Sequence, residues 1–426
     1  MNQAERKEAL KRIQESSRPY ASGYPLQYKG ENKQFDVWEI PMELLVYNPY
    51  NGRIGSVVKS YEKQDHKLIP ENPDDATIIE RFLWESKPSA NEQTERSLRS
   101  IGQQKFGIVT ADGIIIDGNR RASIMNRIRR DERSSAQERA RCSSFKAVIL
   151  PLDAQKADIL RLETSYQMGE DAKVDYNPIE KYLKTRDLCE SGFMNEDIAD
   201  FMGISKTQVK ENLEVLNLID DYLSTYGYDG IYIMAVGHED SFLKLRSALK
   251  SYENGVAEMW DCSKKDRTEL KLAAFDYIRL DLEQTDFRDL IRKPSRTNSS
   301  IFGTKQIWET FKKAYDAAYV EEKSVEQWIE EHPGEDVDKV LKARDDSWRR
   351  KSKEKLEAAF RDSQETLSSR MQAKEPERLV SKAVNAINSI DITAPSFRSN
   401  AAGITTGLKE LIEIANTLLT AADGEQ

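Results

Sequence analysis

Residues suited to binding phosphate are concentrated at positions 113–122, which read Gly-Ile-Ile-Ile-Asp-Gly-Asn-Arg-Arg-Ala. The three isoleucines predict a buried strand; an Asp-Gly pair ends it, and two arginines open an amphipathic helix. The N–H groups at a helix N-terminus and the guanidinium groups of arginine both bind phosphate. The alternative is a hairpin-to-helix turn with solvent-exposed arginines. The candidate phosphate-binding residues are Asp117, Gly118, Asn119, Arg120 and Arg121.

A second pattern, at residues 195–210, is typical of two helices that cross closely. Ala199, Gly203 and Val209 have the spacing of a helix-turn-helix, in which the glycine ends the first helix. If the second helix enters a DNA groove, its first turns face the DNA. Acidic residues flank this helix, so the alternative is a plain packing module. The candidate DNA-binding residues are Ser205, Lys206, Thr207, Gln208 and Lys210.

The elements that must position these residues indicate an α+β protein. Apolar alternation near Val37 and the run 145–150 predict strands, and helical patterns occur at 1–15, 76–85, 91–101 and 154–166. Residues 18–30, rich in Pro, Gly and Tyr, predict a loop. We divide the chain into an N-terminal extension (1–34), an α+β domain (35–165), a helix-turn-helix and helical domain (166–292), a linker (293–303) and a helical C-terminal bundle (304–426).

The order of these motifs resembles the ParB/sulfiredoxin-like fold family, and within it ParB-type proteins, where a helix-turn-helix follows the nucleotide domain. ParB proteins carry Gly-Glu-Arg-Arg after the strand and some relatives carry Asp-Gly-x-x-Arg, to which residues 117–121 are similar. The turn 102–109 resembles the family's Gly-x-x-Gln-Pro turn without its proline. Residues 175–180, Asp-Tyr-Asn-Pro-Ile-Glu, resemble the family's Leu-Asn-Pro-Ile-Glu segment. The resemblance covers residues 35–220.

This resemblance implies a ParB/sulfiredoxin-like N-terminal domain that binds a nucleoside triphosphate, CTP or ATP, with Mg²⁺. By the same resemblance, Gly102 and Gln104 in the turn before the strand, and Asn51 and Arg53 in an earlier loop, would lie at the nucleotide. Asn119 stands where ParB proteins have glutamate, so we expect slow or absent hydrolysis. Asn119 also excludes sulfiredoxin activity, because that enzyme's catalytic cysteine would fall at this position.

Several acidic residues form a candidate catalytic set. Glu163, Glu170 and Asp171, with Asp112 and Asp117, offer the hard oxygen ligands that Mg²⁺ prefers beside a triphosphate. The same acids would serve a metal-dependent nuclease. The alternative is that Asp117 caps the arginine helix and the others are surface carboxylates. We take Glu163 and Glu170 as the candidate catalytic residues and assign no direct metal ligand.

Composition limits the classes of function. The net charge of −9 argues against a protein that coats DNA electrostatically, so any phosphate contact must be local. Two basic segments are available, the arginines at 120–133 and the run Arg-Lys-Pro-Ser-Arg-Thr at 292–297, although charge runs are more often solvated. Three separated cysteines form no disulfide or zinc pattern. With no signal sequence or membrane-length apolar run, we expect a cytoplasmic, nucleoid-associated protein.

Aromatic and leucine residues spaced between Trp308 and Phe360 predict an antiparallel helical bundle, followed by helices at 377–390 and 407–419. Such a C-terminal region would form a homodimer or bind a partner protein. The leading hypothesis is a nucleotide-regulated DNA-binding protein of ParB type, in bacterial or phage genome maintenance or defence. The alternatives are a metal-dependent DNA nuclease that uses the same phosphate pocket, and a non-catalytic partner-binding module with a degenerate pocket.

Overall fold

The structure, a computed structural model, describes residues 1–166, 177–256, 259–295, 299–335 and 337–423. Within them, five strands form one mixed sheet in the order β1-β2-β5-β3-β4. The strands β3 and β5 are parallel and the other neighbours are antiparallel. In chain order, the strands β1 to β5 are Ala21–Tyr28, Glu31–Pro41, Gly107–Val109, Ile115–Asp117 and Ser144–Ile149.

Helices cover both faces of this sheet, so it is buried on both sides. Along β5, Phe145 and Ala147 point into one apolar core, whereas Val148 points into the other. This alternation follows from the two-residue period of a strand. The helices of this α+β domain, α1 to α7, are Gln3–Ser16, Gly55–Gln64, Pro73–Glu85, Pro88–Ile101, Asn119–Arg130, Ala136–Arg141 and Lys156–Thr164.

Residues 1–34, which the sequence assigned to an N-terminal extension, include a helix that packs on this sheet and its first strand. Leu10 on α1 is fully buried in the larger core of the sheet. The predicted loop at 18–30 contains β1, which pairs with β2 at the edge of the sheet. A strand at the edge of a sheet tolerates a proline, such as Pro25, and an irregular register, such as the one between Ala21 and Tyr24. Because proline and glycine are more typical of loops, the composition of this segment favoured a loop over a strand.

Beyond this domain, the residues that the structure describes are mainly helical. The helix-turn-helix has a small core of its own, built around Leu188, Ile198 and Val209. The helices α8 to α18 are Pro178–Glu190, Asn195–Met202, Lys206–Thr225, Glu239–Glu253, Lys264–Arg279, Gln284–Ile291, Lys305–Ala317, Val325–Glu331, Val337–Asn388, Pro395–Ser399 and Ala401–Asp423. The predicted α+β class with a helical C-terminal region is confirmed. None of the described helices combines the length and apolarity needed to cross a membrane.

The predicted boundary between residues 166–292 and 304–426 does not coincide with a break in packing. One apolar core runs from Ile179 to Leu367, across the predicted linker. Within that linker, Ile301 and Phe302 are fully buried, and their N–H groups donate to Asp289 O and Leu290 O at 2.7 and 3.2 Å. The surrounding Ser, Arg, Thr and Asn residues predicted a linker, but these two apolar side chains fix the segment in the core.

Candidate functional site

The turn into α5 needs glycine. Gly118 is the N-cap residue of α5 and has φ +102°, in the left-handed region. A Cβ at this position would lie 2.7 Å from Cζ of the buried Phe145. Because the N-cap residue is glycine, it provides no side-chain hydrogen bond to the first N–H groups of α5. The strand-glycine-helix arrangement of the sequence is therefore confirmed, and it directs the N-terminus of α5 toward a cavity.

This cavity, of about 170 Å³, brings together residues from distant parts of the chain. Asn51 and Arg53 come from the loop before α2, and in this cavity they meet the residues that open α5. Thr94, Lys105 and Tyr166 also line it, and sequence reasoning missed them. Lys105 could have been found, since it is the cation in the turn before β3. Four cationic side chains thus surround one helix N-terminus: Arg53, Lys105, Arg120 and Arg121.

Fixed contacts hold the two arginines of α5. Arg120 Nε donates to Asn91 Oδ1 at 2.8 Å, and the fully buried Asn91 donates in turn to the carbonyl oxygens of Leu83 and Trp84. Arg121 Nη1 donates to Lys105 O at 2.6 Å. Because protein groups already orient the guanidinium groups, an anion that enters the cavity meets them with little loss of side-chain entropy.

Asn119 lines the cavity, but its polar atoms serve the fold. Its Nδ2 donates to Ile115 O at 2.8 Å and its Oδ1 accepts from Asn48 N at 2.9 Å. The residue is 2% exposed. A carboxylate here could not replace the donated bond, because an ionised carboxylate only accepts. Asn119 therefore ties the start of α5 to β4 and to the loop that carries Asn51.

The predicted turn residues Gly102 and Gln104 do not line the cavity. Gly102 ends α4 with φ +73°, and the exposed Gln104 donates to Ile101 O at 2.9 Å. Their neighbour Gln103 is buried instead. It donates to Lys105 O and Lys146 O at 2.8 Å and accepts from Lys146 N at 2.7 Å, so it fixes the backbone that presents Lys105.

The structure describes one of the two predicted catalytic acids, Glu163. Glu163 is buried, and its Oε2 lies 2.8 Å from Lys184 Nζ on α8, while its Oε1 accepts from Asn48 Nδ2 at 3.2 Å. The structure therefore places Glu163 in a buried ion pair, away from the lining of the cavity. Glu170 and Asp171 lie outside the described residues. In the part of the chain that the structure describes, no three acidic, histidine or cysteine side chains form a group that could hold a metal ion.

Glu180 is a functional candidate that sequence reasoning did not select. Its carboxylate accepts from Ser56 N at 2.9 Å, at the N-terminus of α2 and just beyond Arg53. Burial raises the pKa of Glu180 to about 7, against the hydrogen bonds from Ser56, which lower it. Glu180 lies in the first turn of α8, two residues after Pro178, which begins the helix. It links the cavity loop to the helical half.

The helix-turn-helix has the predicted geometry. Gly203 ends α9 with φ +64°, and Ser205 caps α10. All five candidate DNA-binding residues are exposed. Two of them also have local partners: Gln208 Oε1 accepts from Ser205 N at 3.0 Å, and Lys206 Nζ lies 2.7 Å from Glu196. A bidentate contact of Gln208 with adenine would have to break the capping bond.

The acidic residues that follow on α10 are paired. Glu211 lies 3.0 Å from Arg246 on α11, and Glu214 contacts both Arg246 and Lys250. The negative charge beside Lys206 and Lys210 is therefore smaller than the sequence suggested.

No protein-family model matches the chain, and no curated protein is detectably similar to it in sequence.

Proposed function

We propose that this chain is a nucleotide-regulated DNA-binding protein of ParB type, which acts in the cytoplasm on bacterial or phage DNA in genome maintenance or defence. The observation that carries the proposal is the cavity at the start of α5. A helix N-terminus that follows a left-handed glycine and is surrounded by Arg53, Lys105, Arg120 and Arg121 suits a phosphate group.

The size of the cavity indicates which part of the ligand it holds. About 170 Å³ is smaller than the 300–1,000 Å³ typical of a site that encloses a whole small molecule. We therefore assign the phosphates of CTP or ATP to this cavity, with Arg53 and Arg121 as bidentate partners. A Mg²⁺ ion that accompanies them would neutralise phosphate charge, and Asp117 is the carboxylate on the described lining that suits it.

Two polar routes connect this cavity with α8, the helix before the helix-turn-helix. In the first, Asn48 forms hydrogen bonds with both Asn119 and Glu163, and Glu163 forms an ion pair with Lys184 on α8. In the second, Glu180 on α8 accepts from Ser56 at the start of α2. A ligand that shifts the Asn48–Arg53 loop would act on α8 through both routes. This connection supports regulation of DNA binding by the nucleotide.

Replacing Arg121 by alanine should weaken nucleotide binding about 10- to 150-fold, because one charge-assisted contact is worth about 1.5–3 kcal/mol. Calorimetric titration with each of CTP, ATP, GTP and UTP measures this. The matched control is Arg127→Ala, which removes an arginine from the same helix but away from the cavity lining. Equal affinity of the Arg121 variant and the control would overturn the assignment of the phosphate site.

We further propose that the chain forms a homodimer through its C-terminal hairpin, defined as α16 from Pro376 onward, α17 and α18. Leu367 is the last buried large apolar residue, and eleven such side chains between Leu379 and Leu419 are each more than a third exposed. The two long helices line a groove of about 1,030 Å³. An apolar surface of this extent is typical of an interface with another chain.

The pattern of the hairpin favours a second copy as the occupant. Along α18, Ile404, Leu408, Leu411, Ala415 and Leu418 alternate spacings of four and three, the heptad pattern of paired helices. Residues 379–419 contain three basic and three acidic side chains, so one copy does not repel another. A twofold dimer needs such a self-complementary patch, since the same surface is used on both chains.

A further inference from the structure

A basic groove lies between α11 and α13, on the helical half of the molecule. It has a volume of about 400 Å³. On α11, Lys244, Ser247, Ala248 and Ser251 share one face, because their spacings of three and four follow the helical repeat. On α13, Arg288 and Ile291 are three residues apart on one face, and Arg292 and Lys293, just beyond the helix, complete the second wall.

The side chains of this groove favour an anion. Small residues at Ser247, Ala248 and Ser251 leave room between the helices, and four cationic side chains surround that room. None of the lining residues is acidic, although the chain as a whole has a net charge of −9. Four cations that outnumber the carboxylates beside them create, on such a chain, a local field that attracts phosphate.

The charges of the groove are only partly neutralised. Lys244 pairs with Asp240 and Arg292 pairs with Asp289, at 2.5 and 3.3 Å. Arg288 and Lys293 are exposed and form no ion pair with any residue that the structure describes. Two cations are therefore available for a ligand without breaking an internal salt bridge.

The groove lies one helix away from the candidate DNA-reading helix. The helix α11 packs against α10, where Arg246 and Lys250 pair with Glu211 and Glu214. The groove residues of α11 are interleaved with these, at Lys244, Ser247 and Ser251. A DNA duplex is about 20 Å across and presents a phosphate on each strand every 3.4 Å along its axis, whereas one helix is about 10–12 Å wide, so a separation of one helix is small on the scale of a duplex.

We propose that this groove binds the phosphodiester backbone of duplex DNA, with Arg288 and Lys293 as its principal phosphate contacts. The proposal rests on the proposed function, and it adds a second contact surface to the helix-turn-helix. It assigns Arg292 and Lys293, the first two residues of the basic run, to phosphate binding, for which the sequence offered a solvated linker as the alternative. Phosphate contacts of this kind add affinity without reading the base sequence.

The groove variant Arg288→Gln/Lys293→Gln tests this in the full-length protein. Binding to a labelled duplex of mixed sequence is measured by fluorescence anisotropy over a range of salt concentrations. Each lost phosphate contact removes about 0.9 from the slope of log K against log salt, so the slope should fall by about 1.8. The affinity at low salt should fall by at least about 10-fold. The charge-matched control Lys264→Gln/Lys313→Gln should behave as the wild type.

A second variant, Lys206→Gln/Lys210→Gln, separates the groove from the helix-turn-helix. If the groove variant binds like its control while the helix-turn-helix variant loses affinity, the groove assignment is wrong and the proposed function stands. If the groove variant loses affinity and the helix-turn-helix variant does not, the groove stands and DNA contact by α10 is wrong. Absence of any duplex binding by the wild type at low salt overturns both.

Nucleotide binding by the groove variant distinguishes DNA from a free phosphate compound as the ligand of the groove. Binding of CTP and ATP to the groove variant should equal that of the wild type, because the nucleotide belongs to the cavity at α5. A groove variant that loses nucleotide binding and keeps its DNA affinity would show that the groove is a site for a free phosphate compound, and would overturn the DNA assignment.

Discussion

Replacing Lys184 by methionine should lower the free energy of unfolding by about 3–5 kcal/mol, because it leaves a buried carboxylate without its cation. Lys184 Nζ lies 2.8 Å from Glu163 Oε2, and both side chains are 5% exposed. Methionine fills similar space but carries no charge. Urea unfolding at constant pH measures the change, and nucleotide binding should weaken too, since the ion pair supports Asn48 beside the cavity.

Two further variants serve as controls for the stability of the Lys184→Met variant. Lys181→Met removes an exposed lysine from the same helix and should change stability by less than about 0.5 kcal/mol. The double variant Glu163→Gln/Lys184→Met removes the stranded charge and keeps an oxygen that accepts from Asn48, so it should recover at least half of the loss. A Lys184 variant as stable as the Lys181 variant would contradict the buried ion pair.

The double substitution Leu411→Glu/Leu418→Glu should convert a dimer into a monomer. Both residues line the groove of the C-terminal hairpin. In a twofold dimer each substitution occurs twice, so four apolar contacts worth about 1.5–3 kcal/mol each are lost and four charges are buried. The dimer dissociation constant should rise by at least ~1,000-fold. Sedimentation equilibrium distinguishes the 48.8 kDa chain from a species of twice that mass.

The control for the Leu411→Glu/Leu418→Glu variant adds the same charge to the polar face of α18. Thr406 and Thr417 are exposed and do not line the groove, so Thr406→Glu/Thr417→Glu should remain dimeric. The far-ultraviolet circular dichroism of both double variants should match that of the wild type, since glutamate is a good helix former. A wild-type protein that stays monomeric at micromolar concentrations would rule out the second copy as the occupant of the groove.

Local signals in the sequence were sufficient for the strand-glycine-helix turn and the helix-turn-helix. In both, a glycine with positive φ stands where the chain must reverse, at Gly118 and Gly203. Such a requirement is visible in a single sequence because it concerns only a few adjacent residues. The helices of the C-terminal region were predictable for a similar reason, since their apolar periodicity is long and regular.

Features that depend on distant contacts were not predictable. Glu163 was taken as a catalytic acid because nothing near it in sequence shows that Lys184 lies beside it. The role of Gln103 in fixing the backbone at Lys105 was not visible either, because its partner Lys146 is 43 positions away. β1 was missed because a strand at the edge of a sheet can contain Pro25. Phe145 gives the physical reason for the glycines at 107 and 118, and only the folded sheet brings them together.

Control of DNA binding by the nucleotide can be measured as the affinity for DNA with and without nucleotide. A duplex selected from a random pool is titrated with the protein in the absence and presence of saturating CTP or ATP. We expect the Kd for DNA to change by at least about 5-fold with the nucleotide that binds, and not to change in the Arg121→Ala variant. The same Kd with and without a nucleotide that demonstrably binds would show that the nucleotide does not control DNA binding.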